Sequence, residues 1–473
     1  MVIQCWDISK FFDKERISDA ILTCLGRGAN KKATKLWLKL NENTKIKVKT
    51  GVGLSEEANV GAVVGQGTIG GALVSQAVLD DGVMQHFTPG GEGELMYGDV
   101  PLAPLILQDD LMHGAKGEKE AREACDKVEK VMKERGLQLS EDKCVYVLMG
   151  SKKQKEELRA EFDSNPLKCG KVQMKPKETE KWLGQQISSG GLADSVAATV
   201  AAREPKIKGA CLEIANIVND WRSQAVGGME TAIILWEALC IPSLLNGAGT
   251  WTEISAATEK KPEQLQQWFL RLVLQVGQGA PLASLGWETG VMSMKLRIWK
   301  EKLMMVMHIR QLDDDSLAKK VYLEQVEKGY QGLAKETSKI CKELHIEDCN
   351  TTKLSKAEYK SMLSQLLKVK DEANLREQAK EKTKCERIMK DKYGKKEYIT
   401  QMKIGEVRKY FKTRVGLLPF ANNYKNDKRF ARTKWMCRCD EEKEDQSHIR
   451  SCSIYSDITE KYPNVDDDDN LVK

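Results

Sequence analysis

The fold is decided by the stretch Leu105-Ile106-Leu107-Gln108-Asp109-Asp110-Leu111-Met112, in which two adjacent carboxylates interrupt an apolar run. Two unpaired carboxylates within an apolar strand are costly unless a cation neutralises them. The flanking apolar residues favour two short strands, so a β-hairpin would hold both acids at its tip. Carboxylate oxygens are the ligands that hard divalent cations prefer.

A third acid, Asp7, ends the short apolar stretch that begins at Val2. Together, Asp7, Asp109 and Asp110 are the ligand type of a two-metal nucleotidyl-transfer site, and we expect them to bind Mg²⁺ or Mn²⁺. An aspartate at a strand end is, by itself, more often a turn or capping residue, and this alternative stays open for Asp7 taken alone.

The remaining pattern predicts an α+β first part followed by a helical body. Gly51 to Gly71 is Gly-rich and favours a loop that leads into a helix. Apolar residues at helical spacing predict helices over Ser9 to Leu25, over Glu118 to Arg135 with a stop before Gly136, and through most of Asp194 to His345. Short strands are expected at Cys144 to Leu148 and around Trp182 to Ile187.

Basic residues are concentrated near the C-terminus. The whole chain carries a formal charge of +6, whereas residues 380–436 contain 18 Lys/Arg and 6 Asp/Glu, a local excess of +12. Such an excess is typical of nucleic-acid binding, the alternative being a solvated helical face. Within it we expect phosphate contacts from Arg408, Lys409, Lys412 and Arg414, with Tyr410 and Phe411 as stacking partners for bases.

The sequence offers little sign of a membrane or of a targeting signal. The most apolar stretch, Ala232 to Leu245, is short and is interrupted by Glu237 and Pro242. Thirteen scattered cysteines fit a reducing compartment. We therefore expect no membrane partner, and a location in the nucleus and cytoplasm.

Five segments, taken in order, resemble the reverse transcriptase of non-LTR (LINE-type) retrotransposons. They are Cys5 to Asp13 (motif A), Gly65 to Gln76 (motif B), Gln108 to Leu111 (motif C, with Gln108 where the family more often has Ala), Gly136 to Lys143 (motif D) and Lys181 to Gly184 (motif E). The resemblance implies an RNA-directed DNA polymerase whose partners are an RNA template, a DNA primer or target DNA, and dNTPs. It also implies an α+β polymerase palm followed by a helical thumb.

The resemblance implies roles for individual residues. Asp7, Asp109 and Asp110 would bind the metal ions, and Lys143 would protonate the departing pyrophosphate. Ile8, Phe12, Gln66 and Gly67 would contact the incoming nucleotide, and Trp182, Leu183 and Gly184 would grip the primer end. From the residues alone, alternatives remain: a core aromatic for Phe12, a Gly-rich turn for Gln66 and Gly67, a solvated Lys143, and a buried strand at Trp182 to Gly184.

The same resemblance gives the expected domain boundaries. They are palm 1–193, thumb 194–345, basic helical arm 346–430, Cys/His element 431–456 and acidic tail 457–473. Met1 lies only six residues before Asp7, so we expect a fragment that lacks the fingers and is a poor polymerase by itself. The alternative function is a catalytically inactive remnant that still binds nucleic acid.

Four metal-binding residue types lie near the C-terminus, at Cys437, Cys439, His448 and Cys452. The set resembles the CCHC element of the same family and suits structural Zn²⁺. A single residue between the first two cysteines is a tight spacing. Both a zinc site and a metal-free loop therefore stay open.

Overall fold

The computed structural model describes residues 1–41, 45–59, 71–87, 95–220, 226–380, 385, 388–417, 437, 439, 443, 448 and 451–456. In this part of the chain helices predominate, and a five-stranded mixed sheet is accompanied by two-stranded ribbons. The α+β class expected from the sequence is confirmed at this level.

The strands of the described ranges are β1 (Val2–Asp7), β2 (Lys45–Ile46), β3 (Lys49–Thr50), β4 (Gly53–Leu54), β5 (Ala58–Asn59), β6 (Met96–Tyr97), β7 (Val100–Pro101), β8 (Leu105–Leu107), β9 (Asp110–Ala115), β10 (Val145–Leu148), β11 (Lys168–Cys169), β12 (Val172–Gln173), β13 (Lys175–Lys177), β14 (Thr179–Trp182) and β15 (Gln185–Ser188).

The α-helices of the same ranges are α1 (Phe11–Lys14), α2 (Ile17–Gly26), α3 (Lys31–Asn41), α4 (Gly71–Met84), α5 (Glu118–Arg135), α6 (Lys152–Ser164), α7 (Leu192–Asn219), α8 (Gly228–Leu235), α9 (Ile241–Leu245), α10 (Ala256–Leu274), α11 (Leu282–Thr289), α12 (Met294–Ile309), α13 (Leu317–Lys328), α14 (Leu333–Leu344), α15 (Lys356–Ala379), α16 (Glu397–Gln401) and α17 (Ile404–Arg414). A π-helical turn, Trp236–Cys240, joins α8 to α9, and 3₁₀ turns lie at Ala248–Thr250, Ile388–Lys390 and Ser453–Tyr455.

The chain divides into two compact units. Unit 1 comprises residues 1–199, 250–255 and 306–339, and unit 2 comprises residues 200–249, 256–305 and 340–473. Each unit has its own architecture and is described by itself.

Unit 1 is built on the five-stranded sheet, in the order β13-β10-β1-β9-β8. The neighbours pair antiparallel, except that β10 and β13 run parallel. The central strand β1 is largely buried because it lies between β10 and β9. Its last residue, Asp7, therefore stands at the end of the innermost strand.

Helix α5 contributes the largest apolar face to the core of unit 1. Its buried stripe consists of Ala121, Ala124, Cys125, Val128, Val131 and Met132. The helix ends at Gly136, whose φ of 67° is the left-handed geometry that a helix-terminating glycine adopts easily. This helix has the bounds expected from the sequence.

Unit 2 has an aromatic core between two of its helices. Trp236, in the π-helical turn, stacks on Phe269 of α10 with ring centroids 4.8 Å apart, and its indole N–H donates to Gln266 Oε1 at 3.3 Å. By length and composition alone, the segment Gly228–Leu245 is apolar enough to cross a membrane, but half of it is buried inside the protein. The core helix of a soluble protein meets the same criterion, so the segment is weak support for a membrane span.

Two local expectations are corrected. The helix expected over Ser9 to Leu25 is two helices, α1 and α2, because the backbone is extended at Glu15 and Arg16 between them. Helix α1 begins only at Phe11, since Lys10 before it adopts a left-handed conformation (φ 50°). The loop expected from Gly51 contains the β3–β4 hairpin at its start.

The expected domains do not coincide with the two units, because the expected thumb, residues 194–345, is divided between them. Residues 306–339 group with unit 1 because α13 packs on the β6–β7 hairpin. There, Glu324 Oε1 accepts a hydrogen bond from the Asp99 amide at 3.1 Å, and the rings of Tyr97 and Tyr330 meet edge to face at 5.7 Å. Residues 346–417, where described, belong to unit 2 and are not a separate arm, since α15 packs against α11.

Candidate functional site

The strand register brings two of the three predicted metal ligands together. Asp7 of β1 and Asp110 of β9 are direct partners in the antiparallel pair. Directly opposed residues point to the same face of a sheet, with Cβ atoms about 4.5 to 5.5 Å apart. The two carboxylates therefore occupy one face at the same end of the sheet.

Asp109 lies in the two-residue turn of the β8–β9 hairpin, which closes at the Leu107–Asp110 pair. Its carbonyl accepts a hydrogen bond from the Ile8 amide at 3.2 Å, which ties the turn to the residue after Asp7. The hairpin with both acids at its tip agrees with the expectation from the sequence.

Gln76 of α4 holds the hairpin in place. Its Oε1 accepts a hydrogen bond from the Gln108 amide at 2.6 Å, and its Nε2 donates to the Ile106 carbonyl at 3.3 Å. Gln108 has a φ of 55°, a conformation that non-glycine residues rarely adopt. The side chain from α4 thus compensates for a strained turn and fixes the position of Asp109.

The pKa of Asp110 is raised by its surroundings. Burial raises the pKa of Asp110, and the negative charges of Asp109 and Asp7 raise it further. Lys143 provides a counter-charge, with its Nζ 3.1 Å from Asp7 Oδ2, and Lys10 also lines the cleft. Two ammonium groups against three carboxylates leave a net negative charge that suits a divalent cation.

The loop before Lys143 is attached to the end of β1. The Ser140 amide donates to the Asp7 carbonyl at 2.9 Å, and Leu139 forms an isolated bridge with Ile8. The hydrogen bond to Asp7 raises the pKa of Lys143, so its ammonium stays protonated at neutral pH. The structure thus places Lys143 beside Asp7, and its role as a proton donor stays a prediction.

Two of the predicted nucleotide-contacting residues, Ile8 and Phe12, share an open cleft of about 380 Å³ with Asp7 and Asp109. Its walls include Asp7, Ile8, Phe12, Asp109 and Lys143. Phe12 is half-buried there, with its ring centroid 5.5 Å from that of the buried Phe11. Gln66 and Gly67 lie outside the described residues.

Trp182 is not among the residues lining this cleft, and neither are its two successors. They form the turn of the β14–β15 hairpin, with positive φ at both Leu183 (48°) and Gly184 (80°). Two positive φ values match the tight turn that suits twisted hairpins. Glu180 of the same hairpin also raises the pKa of Asp110, so β14 is close enough to affect the acids.

The four C-terminal Cys and His residues converge. Their ligand atoms all lie within 4.8 Å of one another, and Cys437, His448 and Cys452 are buried. The sulfurs of Cys437 and Cys452 are 3.7 Å apart, and Cys439 Sγ is 3.1 Å from His448 Nε2. Two sulfurs on one tetrahedral Zn²⁺ stand roughly 3.8 Å apart, so the donor set fits the ion despite its tight spacing.

The predicted phosphate contacts in α17 are partly contradicted. Arg414 is buried and forms an ion pair with the fully buried Glu288, Nε to Oε2 at 2.7 Å, and a second one with Asp391. Arg408 donates to the Val273 carbonyl at 2.7 Å and to Asn219. Both guanidinium groups stabilise unit 2 instead of facing a ligand.

The aromatic partners in α17 are also engaged. Phe411 is fully buried, and Tyr410 lies against Tyr398 with centroids 4.6 Å apart. Of the predicted cluster, Lys409 remains exposed and Lys412 is half-buried. The apolar stripe Ile404, Val407 and Phe411 continues to Arg414, and this spacing was the signal that the arginine faces inward.

A basic surface that the sequence analysis missed lies on α3. The helix carries Lys31, Lys32, Lys35 and Lys39, all exposed, and contains no acidic residue. Residues 27–50 contain eight Lys/Arg and one Glu. A charge count over this window would have found it.

The chain matches no protein-family model and no curated protein. Its function is therefore argued from the site itself.

Proposed function

We propose that this chain is the palm and thumb part of an RNA-directed DNA polymerase of the non-LTR retrotransposon type. The observation that carries the proposal is the opposition of Asp7 and Asp110 across β1 and β9, with Asp109 in the adjoining turn. Three carboxylates at one sheet end, with Lys143 beside Asp7 and an open cleft, suit nucleotidyl transfer from a dNTP to a primer 3′-hydroxyl.

Asp7, Asp109 and Asp110 would hold Mg²⁺ or Mn²⁺. When bound, these ions would neutralise the charge of the triphosphate and would activate the attacking hydroxyl. The carboxylates orient them from a rigid strand end, since Asp7 and Asp110 belong to paired strands and Gln76 fixes the turn.

Lys143 is the proton donor in this proposal. Its Nζ lies at the cleft beside Asp7, and its raised pKa keeps a proton available at neutral pH for the departing pyrophosphate. Phe12, half-buried in the cleft wall, would exclude a 2′-hydroxyl and favour deoxynucleotides. The hairpin turn Trp182–Gly184 would contact the primer end.

The proposed partners are an RNA template, a DNA primer or target DNA, and dNTPs. Unit 1 supplies the palm from residues 1–193, and the helices of unit 2 supply much of the thumb. Cys437, Cys439, His448 and Cys452 would bind a structural Zn²⁺, which their mutual distances accommodate.

Primer extension on an RNA template tests the proposal. Since the chain is expected to be a poor polymerase by itself, we expect weak dNTP incorporation that requires Mg²⁺ and is lost in Asp109→Asn. The matched control is Asp314→Asn, because Asp314 is exposed, pairs with Lys319 at 2.7 Å and is not among the residues that line the cleft. Incorporation that is equal in Asp109→Asn and the parent would contradict the proposal.

A second candidate function is nucleic-acid binding without catalysis. The exposed lysines of α3 favour it, because phosphate contacts from this helix do not require the three carboxylates. Nucleic-acid affinity that is unaffected by Asp109→Asn, with no incorporation by the parent, would support this second function.

A further inference from the structure

A second group of metal-ligand side chains lies in unit 2, apart from the C-terminal Cys/His residues. Cys341 is in the last turn of α14, and Asp348 and Cys349 are in the turn that follows. Both sulfurs and a carboxylate oxygen lie within 4.8 Å of one another. Cys341 is 1% exposed and Cys349 is 0% exposed.

Hydrogen bonds within the turn fix the position of Asp348. Its Oδ1 accepts from the Asn350 amide at 2.9 Å and from Asn350 Nδ2 at 2.8 Å. Its carbonyl accepts from the amides of Thr351 at 3.0 Å and Thr352 at 3.1 Å. The two bonds from Asn350 use only Oδ1 of the carboxylate. Oδ2 can therefore bind a metal while Oδ1 keeps the side chain oriented.

Tyr359 completes the surroundings. It is a buried residue of α15, and its hydroxyl lies 3.9 Å from Cys341 Sγ. A phenol O–H beside a thiolate can donate to it, which is the kind of supporting contact that stabilises metal-bound sulfur. The cluster therefore joins the end of α14, the following turn and the start of α15.

Two buried cysteines alone would be ordinary apolar packing, and Asp348 alone would be an ordinary turn residue. Their combination is different, because two thiols and a carboxylate, all groups that bind metals when deprotonated, lie within 4.8 Å of one another. Sulfur and oxygen donors together suit a borderline-soft ion such as Zn²⁺ better than Mg²⁺ or Ca²⁺.

We propose that Cys341, Asp348 and Cys349 form a zinc site of their own, with water or the Tyr359 hydroxyl in the fourth position. The bound ion would fix the conformation of the turn between α14 and α15 and would act as a structural cross-link. This site is independent of the proposed polymerase chemistry, so it stands or falls separately from that function.

Zinc content tests the site directly. The full chain is freed of metal, reconstituted with ZnSO₄, exchanged into metal-free buffer and measured by mass spectrometry. We expect about two Zn²⁺ in a chain whose C-terminal Cys/His set also binds the ion, and one fewer in Cys341→Ser and in Asp348→Asn. Asn at position 348 keeps an oxygen for the Asn350 amide and removes the charged ligand.

Two further variants make the result specific. Cys437→Ser should remove zinc from the C-terminal set only, and Cys24→Ser, which removes a thiol of α2 outside both groups, should leave the content unchanged. Circular dichroism of Asp348→Asn checks that the helices persist. Equal zinc content in the parent, Cys341→Ser and Asp348→Asn would overturn the proposal. A Cys341–Cys349 disulfide that persists in protein purified under reducing conditions would also overturn it.

Discussion

Asp7 and Asp110 face each other across the β1–β9 pair, the last residue of one strand against the first residue of the other. The main chain of β1 or β9 cannot move one of these residues away from the other without breaking the strand register. The like charges therefore stay close, at a cost that a bound cation removes.

Asp110→Asn should raise the melting temperature of the metal-free protein at pH 7. An acid whose pKa is higher in the folded than in the unfolded chain stabilises the fold at low pH, and this contribution is lost as pH rises through the folded value. Since the pKa of Asp110 is raised, its ionised form destabilises the fold at neutral pH. Differential scanning fluorimetry with and without MgCl₂ checks this, because Mg²⁺ should stabilise the parent more than the variant. A lower melting temperature for the metal-free variant would contradict the expectation.

Glu15→Gln should flatten the pH dependence of stability. Burial raises the pKa of Glu15 to about 7, and the charge of Asp19 adds to the effect while the Ser75 hydroxyl opposes it. The parent should lose up to about 3 kcal/mol relative to the variant between pH 4 and pH 8. Urea denaturation across that range measures the difference, and Glu141→Gln, at an exposed position, is the control. A difference in the free energy of unfolding between parent and variant that stays constant over this pH range would contradict the raised pKa of Glu15.

Arg414→Gln should cost about 3 to 5 kcal/mol of stability, because it leaves the buried Glu288 carboxylate without its cation. Lys409→Gln, on an exposed position of the same helix, should change stability by less than about 0.5 kcal/mol. Chemical denaturation compares the two variants. Similar small losses of stability in both variants would show that Arg414 does not form the buried ion pair with Glu288.

The triple variant Lys31→Gln, Lys35→Gln, Lys39→Gln should weaken nucleic-acid binding without lowering stability. Three lost phosphate contacts reduce the slope of log affinity against log salt by about 2 to 3 units, at roughly 0.9 per duplex contact or 0.7 per single-strand contact. Filter binding over a salt series measures the slope. Lys152→Gln with Lys153→Gln is the control, since these exposed lysines pair with Glu156 and Glu157. An unchanged slope in the triple variant would exclude α3 from the interface.

Local pattern was enough to predict several elements. The stripe from Ala121 to Met132 and the glycine after Arg135 predicted the bounds of α5, and the acids between apolar residues predicted the β8–β9 hairpin. In both cases the deciding interactions are among residues close together in sequence.

The remaining features depend on partners far along the chain. Arg414 is buried against Glu288, which lies 126 residues before it in the sequence. Gln76 fixes the position of a turn that lies 32 residues after it in the sequence. The grouping of residues 306–339 with unit 1 rests on contacts between Asp99 and Glu324, separated by 225 residues. A single sequence carries no direct sign of such pairs, so burial and unit boundaries emerged only from the structure.

The central claim is that Asp7, Asp109 and Asp110 form a divalent-cation site, and Mn²⁺ binding measured by electron paramagnetic resonance tests it most directly. The parent should bind Mn²⁺ in competition with Mg²⁺, and Asp7→Asn and Asp110→Asn should each lower the affinity by about tenfold or more, since a charged oxygen ligand is lost. Asp314→Asn, at an exposed position outside the cleft, should bind as the parent does. The same binding curve for the parent, Asp7→Asn and Asp110→Asn would contradict the account.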